Sequence, residues 1–383
     1  MAKPLTYSEK TEFIDSGNLK TEDFLKTQVE KIGKAMADDD NVLIWNNPVF
    51  KINYMNPITK VIYNIENSLI LQQLSKDQGF DRPFFLTAKQ GFDAKLSNKG
   101  EKGLFIVHRF GAAMGYAKGD KDAEPGLVGD EGSGSKIIYK RASRLTSVFN
   151  LAQFKGEYPA SITKLLNQFQ QKATPDELET VYQAVLETMP TPLERVIGSN
   201  HYRPWEDVIS IHPSTMFKSR LHEVNTLLHE ISHSYGHETR KNRPSLRHYS
   251  EGIEHRAYEE LVANLSAQTV VKYFDLHIDP ATQQDLDEGF MQNHTTYDAG
   301  WAKRAYSKDT TEIFKAANDA DRTASSIIHL IEQNLILKLK ANPDLKISET
   351  VKERLLAKAE PEKQEASNDA AKKPYKKSTY KRA

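Results

Sequence analysis

Cysteine is absent from the 383 residues, which excludes disulfides, thiolate-held zinc fingers and the Cys-based zinc sites of nucleobase deaminases. Any metal must therefore be held by histidine and carboxylate. No run of about 18 apolar residues occurs, and Met1-Ala-Lys-Pro-Leu-Thr-Tyr-Ser-Glu-Lys10 is polar, unlike a secretory leader. The expectation is a cytoplasmic protein with no membrane role. Net charge is missing as well: 52 basic residues stand against 52 acidic ones. No global field draws nucleic acid, so such a partner has to be read from local patches. There is no internal repeat. The glycines of residues 117–135 fit neither phosphate-loop pattern with strand and helix on the right sides, which argues against a nucleotide site there.

With 38% hydrophobic and 27% charged residues, the chain reads as folded, and its length favours two units over one. Phe13, Phe24, Leu25, Val29 and Ile32 recur among charges and predict a helix over about 10–40. A second helix is expected over 66–78. Strands are expected at 84–87, 103–109 and 147–149. From Pro159 onward the patterns are mainly helical, around 177–188, the segments of His229 and Glu260, and 325–339, with a short strand pair inside 201–212. The fold class is α+β, divided as 1–155, 156–345 and a disordered basic tail over 346–383, with 117–135 as a glycine-rich loop.

The strongest chemical statement is His229-Glu-Ile-Ser-His233. On a helix, residues four apart lie one above the other, so both imidazoles can converge on one ion while Glu230 stays near enough to hold a water. Apolar Val224, Leu227, Leu228 and Ile231 recur at near-helical spacing and place the motif on a half-buried helix. Imidazole suits Zn²⁺, and a catalytic zinc keeps one open position beside three protein ligands. Glu230 would be the general base.

The third ligand is less direct. The continuation H-E-x-x-H-x-x-G-x-x-H is met as far as Gly236, but Thr239 stands where its last histidine should be. His237 lies two turns from His229 if the helix continues, too far to share an ion, and could bind only if Gly236 breaks the helix. Glu260, in the helical pattern of Leu261, Val262, Leu265 and Val270, is the better candidate, with Glu259 as the neighbouring alternative. Asn264, one turn on from Glu260, would orient His229 or His233 from behind. Tyr249, His248, His255 and Tyr258 fall between the two segments, and any of them could donate to an oxyanion.

Taken in order, the motifs resemble the ArdC-type antirestriction proteins of plasmids and phages, whose N-terminal domain also occurs on plasmid primases of the TraC type. The resemblance spans about residues 10–335. It rests on Asn56-Pro-Ile-Thr-Lys-Val-Ile-Tyr63, Asn67, Phe85-Leu-Thr-Ala-Lys-Gln90, Lys99-Gly-Glu-Lys-Gly103 and Val148-Phe-Asn-Leu-Ala-Gln153. In the second half it rests on Asp207-Val-Ile-Ser-Ile-His-Pro213, Thr226 to His233, Gly236-His237, Arg240, Glu259-Glu-Leu-Val-Ala263, Trp301 and Ile313 to Ala320. It implies an N-terminal single-stranded-DNA-binding domain of mixed α/β structure, followed by a mostly helical zincin-like metallopeptidase domain. It also implies one Zn²⁺ on His229, His233 and Glu260, Glu230 as base, and a role in protecting incoming mobile DNA.

Single-strand binding needs cations for phosphates and flat faces for bases. Lys89, Lys95, Lys99, Lys102 and Arg109 form one basic stretch, and Lys136, Lys140, Arg141 and Arg144 a second. Tyr63, Tyr54, Phe92 and Tyr139 are candidate stacking faces, and Tyr63 and Asn67 belong to the family pattern. Taken alone these are ordinary solvated and core residues; with the resemblance they become DNA contacts. The expected partners are single-stranded DNA and an unidentified protein substrate or host restriction factor. Two other readings remain: a DNA-binding protein whose zincin domain is catalytically idle, and a cytosolic zinc metallopeptidase with no DNA role.

Overall fold

A computed structural model describes residues 7–37, 53–80, 82–117, 136–169, 173–276 and 312–359. The N-terminal half is built on one antiparallel sheet in the order β1 (Phe85–Leu86), β3 (Lys136–Asn150), β2 (Leu104–Ala117). Helix α1 (Tyr7–Ala37) lies along β3 and is tied to it by Asn18 and by an Asp15–Lys140 ion pair at 2.7 Å. Asn18 Oδ1 accepts from the Ser143 amide at 2.8 Å and Asn18 Nδ2 donates to the Arg141 carbonyl at 3.3 Å, so backbone groups of the strand are satisfied by the helix. Helix α2 (Ile65–Gln78) starts where the Asn64 side chain accepts from the Asn67 amide and stops at Gly79, whose φ of 69° is left-handed. The short helix α3 (Ala88–Asp93) is held by a reciprocal cap between Thr87 and Gln90.

The β2–β3 hairpin runs well beyond the expected 103–109 and 147–149, with a register shift between Ala113 and Gly115. The glycine and alanine of 111–117 carry no apolar alternation, so the far half of the hairpin had no periodic signature. Residues 118–135, most of the expected glycine-rich loop, lie outside the described residues, as does Trp301.

After α4 (Ala160–Phe169) and α5 (Pro175–Glu187) comes a second sheet in the order β4 (Leu193–Arg195), β6 (Val208–Ile211), β5 (His201–Arg203). β4 runs parallel to β6 and β5 antiparallel to it. Helix α6 (Arg220–Ser234) opens at Ser219, whose hydroxyl accepts from the His222 amide, and buries Leu221, Val224, Leu227, Leu228 and Ile231. A single turn, α7 (Pro244–Arg247), leads to α8 (Ile253–Tyr273), which packs against both α6 and the long α9 (Glu312–Ala341).

Helix α8 also joins the two halves. Leu261, Val262 and Leu265 share one apolar cluster with Val29 of α1, Ile65, Leu69 and Ile70 of α2, and Ile313 and Phe314 of α9. Each such side chain, fully buried, contributes about 1.5–3 kcal/mol. The metal-site helix is therefore packed from the N-terminal side as well as from its own half.

The expectation of a disordered tail from residue 346 is corrected by helix α10 (Glu349–Ala359). Val351 and Leu355, one turn apart, are buried in the main core, and Lys358 pairs with Glu332 at 2.7 Å. Lys, Glu and Ala are good helix formers, and two apolar residues at i and i+4 suffice to dock such a helix on an existing core. Residues 360–383, including the basic run, lie outside the described residues. No helix among the described residues is long and apolar enough to cross a membrane.

Candidate metal centre

Helices α6 and α8 bring His229, His233 and Glu260 together, each offering one ligand atom, with all three atoms within 4.8 Å of one another. His229 Nε2 lies 3.0 Å from His233 Nε2 and 3.2 Å from Glu260 Oε2, and His233 Nε2 lies 3.6 Å from Glu260 Oε1. The outward nitrogens are held from behind. Asn264 Oδ1 stands 2.9 Å from His229 Nδ1, and Glu259 Oε1 stands 3.2 Å from His233 Nδ1. Both partners present acceptor oxygens, which suits a proton on each Nδ1 and leaves each Nε2 turned inward, toward Glu260.

Two imidazole Nε2 atoms and a carboxylate then face one small space. That is an electron-rich arrangement which a cation relieves, and two nitrogens at tetrahedral angles around one Zn²⁺ would be about 3.3 Å apart. The donor set fits a divalent metal with three protein ligands.

Residues 182–319 match a family described as zincin-like metallopeptidase. Two proteins of Escherichia coli, both DNA primase TraC, are similar in sequence. One is 25% identical over 279 residues, covering 72% of this chain and 24% of the primase; the other is 26% identical over 271 residues, covering 70% and 17%. The chain thus spans less than a quarter of the length of these relatives. Among solved structures, the metal-free antirestriction protein ArdC from plasmid R388 superposes with a TM-score of 0.56 at 20% identity, over 82% of this chain and 97% of that one. The Mn(II)-bound form of the same protein gives 0.55 at 22% identity, over 81% and 97%. The chain is ArdC-type in fold and carries a zincin-like domain.

In this ArdC-type chain Glu230 is buried at the inner wall of the cleft, and burial pushes its carboxyl above the usual carboxylate range, with His229 and His233 pulling the other way. Burial alone would do the same to Glu260, but His233, His229 and the Tyr249 hydroxyl reverse it and hold this carboxyl well below its ordinary value. Tyr249 Oη donates to Glu260 Oε1 at 2.5 Å. Of the four residues between the helices that were candidates to aid an oxyanion, Tyr249 alone lines the cleft. Tyr258 donates to Asp319, and His248 sits 2.9 Å from Glu251 with its ring against His255. His237 reaches the cleft but not the ligand group; its Nδ1 lies 2.9 Å from Thr239 Oγ1.

Glu259 is the buried partner of His233 and stands outside the convergent ligand group. Its oxygens accept from Arg243 Nε at 2.9 Å, from a second guanidinium nitrogen of Arg243, and from Ser245 Oγ at 2.6 Å. Burial raises this carboxyl, yet the adjacent guanidinium with His233 outweighs it and holds the group at about 2. Arg243 is itself fixed, donating to the Ser232 carbonyl at 2.7 Å and to Thr323 Oγ1 of α9 at 3.1 Å. Gly236 makes room for it: a Cβ there would lie 2.9 Å from Arg243 Nη2. Arg243, Ser245 and Thr323 were missed in the sequence because nothing local marks them. The signal that could have found Arg243 is the acidic doublet Glu259-Glu260, since successive helical positions cannot both face one ion.

The DNA candidates are scattered. Lys95, Lys99 and Lys102 are exposed on the loop between α3 and β2, beside Phe92 at 78% exposure. Lys89 is exposed too, paired with Asp93 at 2.5 Å. Two assignments, Tyr63 and Asn67, need correction, and a third residue, Arg109, is 46% exposed in its side chain but already engaged. Arg109 clamps the buried Glu66 through both guanidinium nitrogens and neutralises a charge that would otherwise be stranded. Tyr63 packs in the N-terminal core and donates to the Phe85 carbonyl at 2.9 Å. Asn67 is buried and pairs with both backbone groups of Val107, at 2.9 and 2.8 Å, as a neighbouring strand would. Tyr63 and Asn67, with such partners, secure the fold and leave no face for a base. Tyr54 is likewise buried.

Proposed function

We propose that this protein is a single-stranded-DNA-binding antirestriction protein of a mobile element whose C-terminal half is a zinc metallopeptidase. The observation that carries the reading is the convergence of His229 Nε2, His233 Nε2 and the Glu260 carboxylate beside the buried Glu230. His229, His233 and Glu260 would hold the Zn²⁺, which supplies Lewis acidity toward a carbonyl and toward water. Asn264 and Glu259 fix the tautomers that point both Nε2 atoms inward. Glu230 takes the proton from the attacking water and returns it to the leaving amine. Tyr249, hydrogen-bonded to Glu260 at the cleft wall, is placed to steady that ligand and to donate toward the substrate oxygen.

The DNA part of the proposal draws on what the similar proteins are, a DNA primase and an antirestriction protein, and on the exposed Lys95, Lys99 and Lys102 beside Phe92. These offer phosphate contacts on one loop and a stacking face at the end of the helix that precedes it.

Two measurements on the full chain test the two halves separately. Metal content and peptide hydrolysis are compared for wild type, His229→Ala and Glu230→Gln. The first variant should lose metal, and the second should keep it while turnover falls about 10²–10⁴-fold; unchanged turnover in Glu230→Gln would refute its role. Binding of a labelled single-stranded oligonucleotide is then followed across a salt series. Lys99→Ala/Lys102→Ala should flatten the log–log slope by about 1.4, two contacts at roughly 0.7 each. Absence of binding by folded, metal-loaded protein at low salt would end the DNA reading and leave the peptidase.

A further inference from the structure

The wall of the metal cleft opposite α8 comes from the turn between β5 and β6, and it carries Trp205 with 80% of its surface exposed. An exposed indole is a poor choice for stability, since so large an apolar surface gains nothing from folding while it faces water. Nor is it a loosely hanging side chain. Arg203 reaches across the turn to Glu206 Oε2 at 2.5 Å and to Glu194 Oε2 at 2.7 Å. Asp207, with φ of 52°, is tied to Tyr202 Oη at 2.6 Å and to the Arg240 guanidinium. The turn is braced on both sides, and Trp205 Nε1 donates to Glu206 Oε1 at 3.3 Å. An exposed aromatic carried on a fixed turn and lining a cleft of about 850 Å³ that also holds Glu230 is placed as the kind of anchor that dominates binding energy elsewhere.

We propose that Trp205, with Pro204 beside it, forms an apolar subsite that selects peptides carrying a bulky aromatic or branched side chain next to the reacting carbonyl. The proposal rests on the metallopeptidase reading given above and names its substrate class. Charge favours a peptide over a nucleobase stacked on the same ring. Glu206 lies against the indole, and Arg203 of the same turn is occupied by two carboxylates; Glu238, Glu230 and Glu260 line the cleft together with Arg247 and with Arg243, whose charge Glu259 neutralises. A phosphate brought to the indole would meet the Glu206 carboxylate, whereas a neutral peptide segment would meet no such repulsion.

Two metal-directed probes differing in one side chain test this: glycyl hydroxamate and phenylalanyl hydroxamate, titrated calorimetrically into zinc-loaded full-length protein. Wild type should bind the phenylalanyl probe at least about tenfold tighter. Trp205→Ala should erase that preference and Trp205→Phe should retain most of it. Ile197→Ser removes an equally exposed apolar residue that does not line the cleft, and it should change nothing. Thermal melts confirm that each variant is folded. If both probes bind wild type equally, or Trp205→Ala keeps the preference, the subsite is refuted while the metal site stands. If neither probe binds metal-loaded wild type, the metallopeptidase reading itself fails. Displacement of the phenylalanyl probe by a single-stranded oligonucleotide, in wild type but not in Trp205→Ala, would overturn the peptide assignment in favour of a base.

Discussion

Truncating Arg243 should be among the most damaging single changes in the molecule, although the residue neither binds metal nor lines the apolar core. Arg243→Ala would leave the Glu259 carboxylate with its side chain 0% exposed and without its cation, where the pair now has 3% and 0% exposure. So little solvent reaches the pair that screening gives almost no relief, and removing one member of such a buried pair costs about 3–5 kcal/mol. Loss of the bonds to the Ser232 carbonyl and Thr323 Oγ1 places the expected value toward the upper end. Against a total stability of about 5–15 kcal/mol this is a large fraction. The assay is urea unfolding of metal-free protein, followed by far-UV circular dichroism.

A second variant separates fold from site. Arg243→Met/Glu259→Leu removes both charges and restores apolar volume, so it should recover most of the lost stability. His233 Nδ1 would still lack its acceptor, and affinity for Zn²⁺, measured by chelator competition, should remain about 10–100-fold below wild type. As a surface control, Lys89→Ala breaks a pair exposed at 82% and 56% and should cost under about 0.5 kcal/mol. A loss below about 1 kcal/mol in Arg243→Ala, or wild-type zinc affinity in the double variant, would refute the argument that this pair is the support of His233.

Two further outcomes follow from the fold. Hydrogen bonds from Arg240 first, and from Tyr202, hold Asp207 at about 2 against burial that would raise it from 3.8. A depressed folded value adds stability that is present above the unfolded value near 3.9 and is lost as pH falls through about 2. With a third of the side chain exposed, the contribution after screening is on the order of 1 kcal/mol. Asp207→Asn should therefore be less stable than wild type at pH 5, and the gap should close toward pH 2 in denaturant titrations. Leu355→Ala, in helix α10, should cost about 2–4 kcal/mol because Leu355 is 0% exposed in the main core; a change below 0.5 kcal/mol would mean that the helix does not dock.

What the chain alone determined was the chemistry written in adjacent residues. His229, Glu230 and His233 are specified by one helical turn, because an i, i+4 spacing converts to a fixed direction in space without reference to the rest of the molecule. Glu260 with Asn264, at the same spacing, stood out as one candidate pair, and the helices expected over 66–78 and 177–188 are present, each opening at a side-chain cap. Tertiary structure alone decided which of two neighbouring glutamates faces the histidines, because that depends on how α8 is rotated against α6 and on Arg243, sixteen residues upstream of Glu259, being there to neutralise the other. It also decided that Asn67 is buried, that Tyr63 packs on the N-terminal core and that the half-exposed Arg109 pairs with Glu66, since a cation or an amide in a sequence does not reveal whether its partner is a phosphate, a base or a carboxylate and strand edge of the same chain. Helix α10 escaped notice because a two-residue apolar face has no meaning until a core exists to receive it. Trp205, for its part, was one aromatic among many until the braced turn set it at the mouth of the cleft.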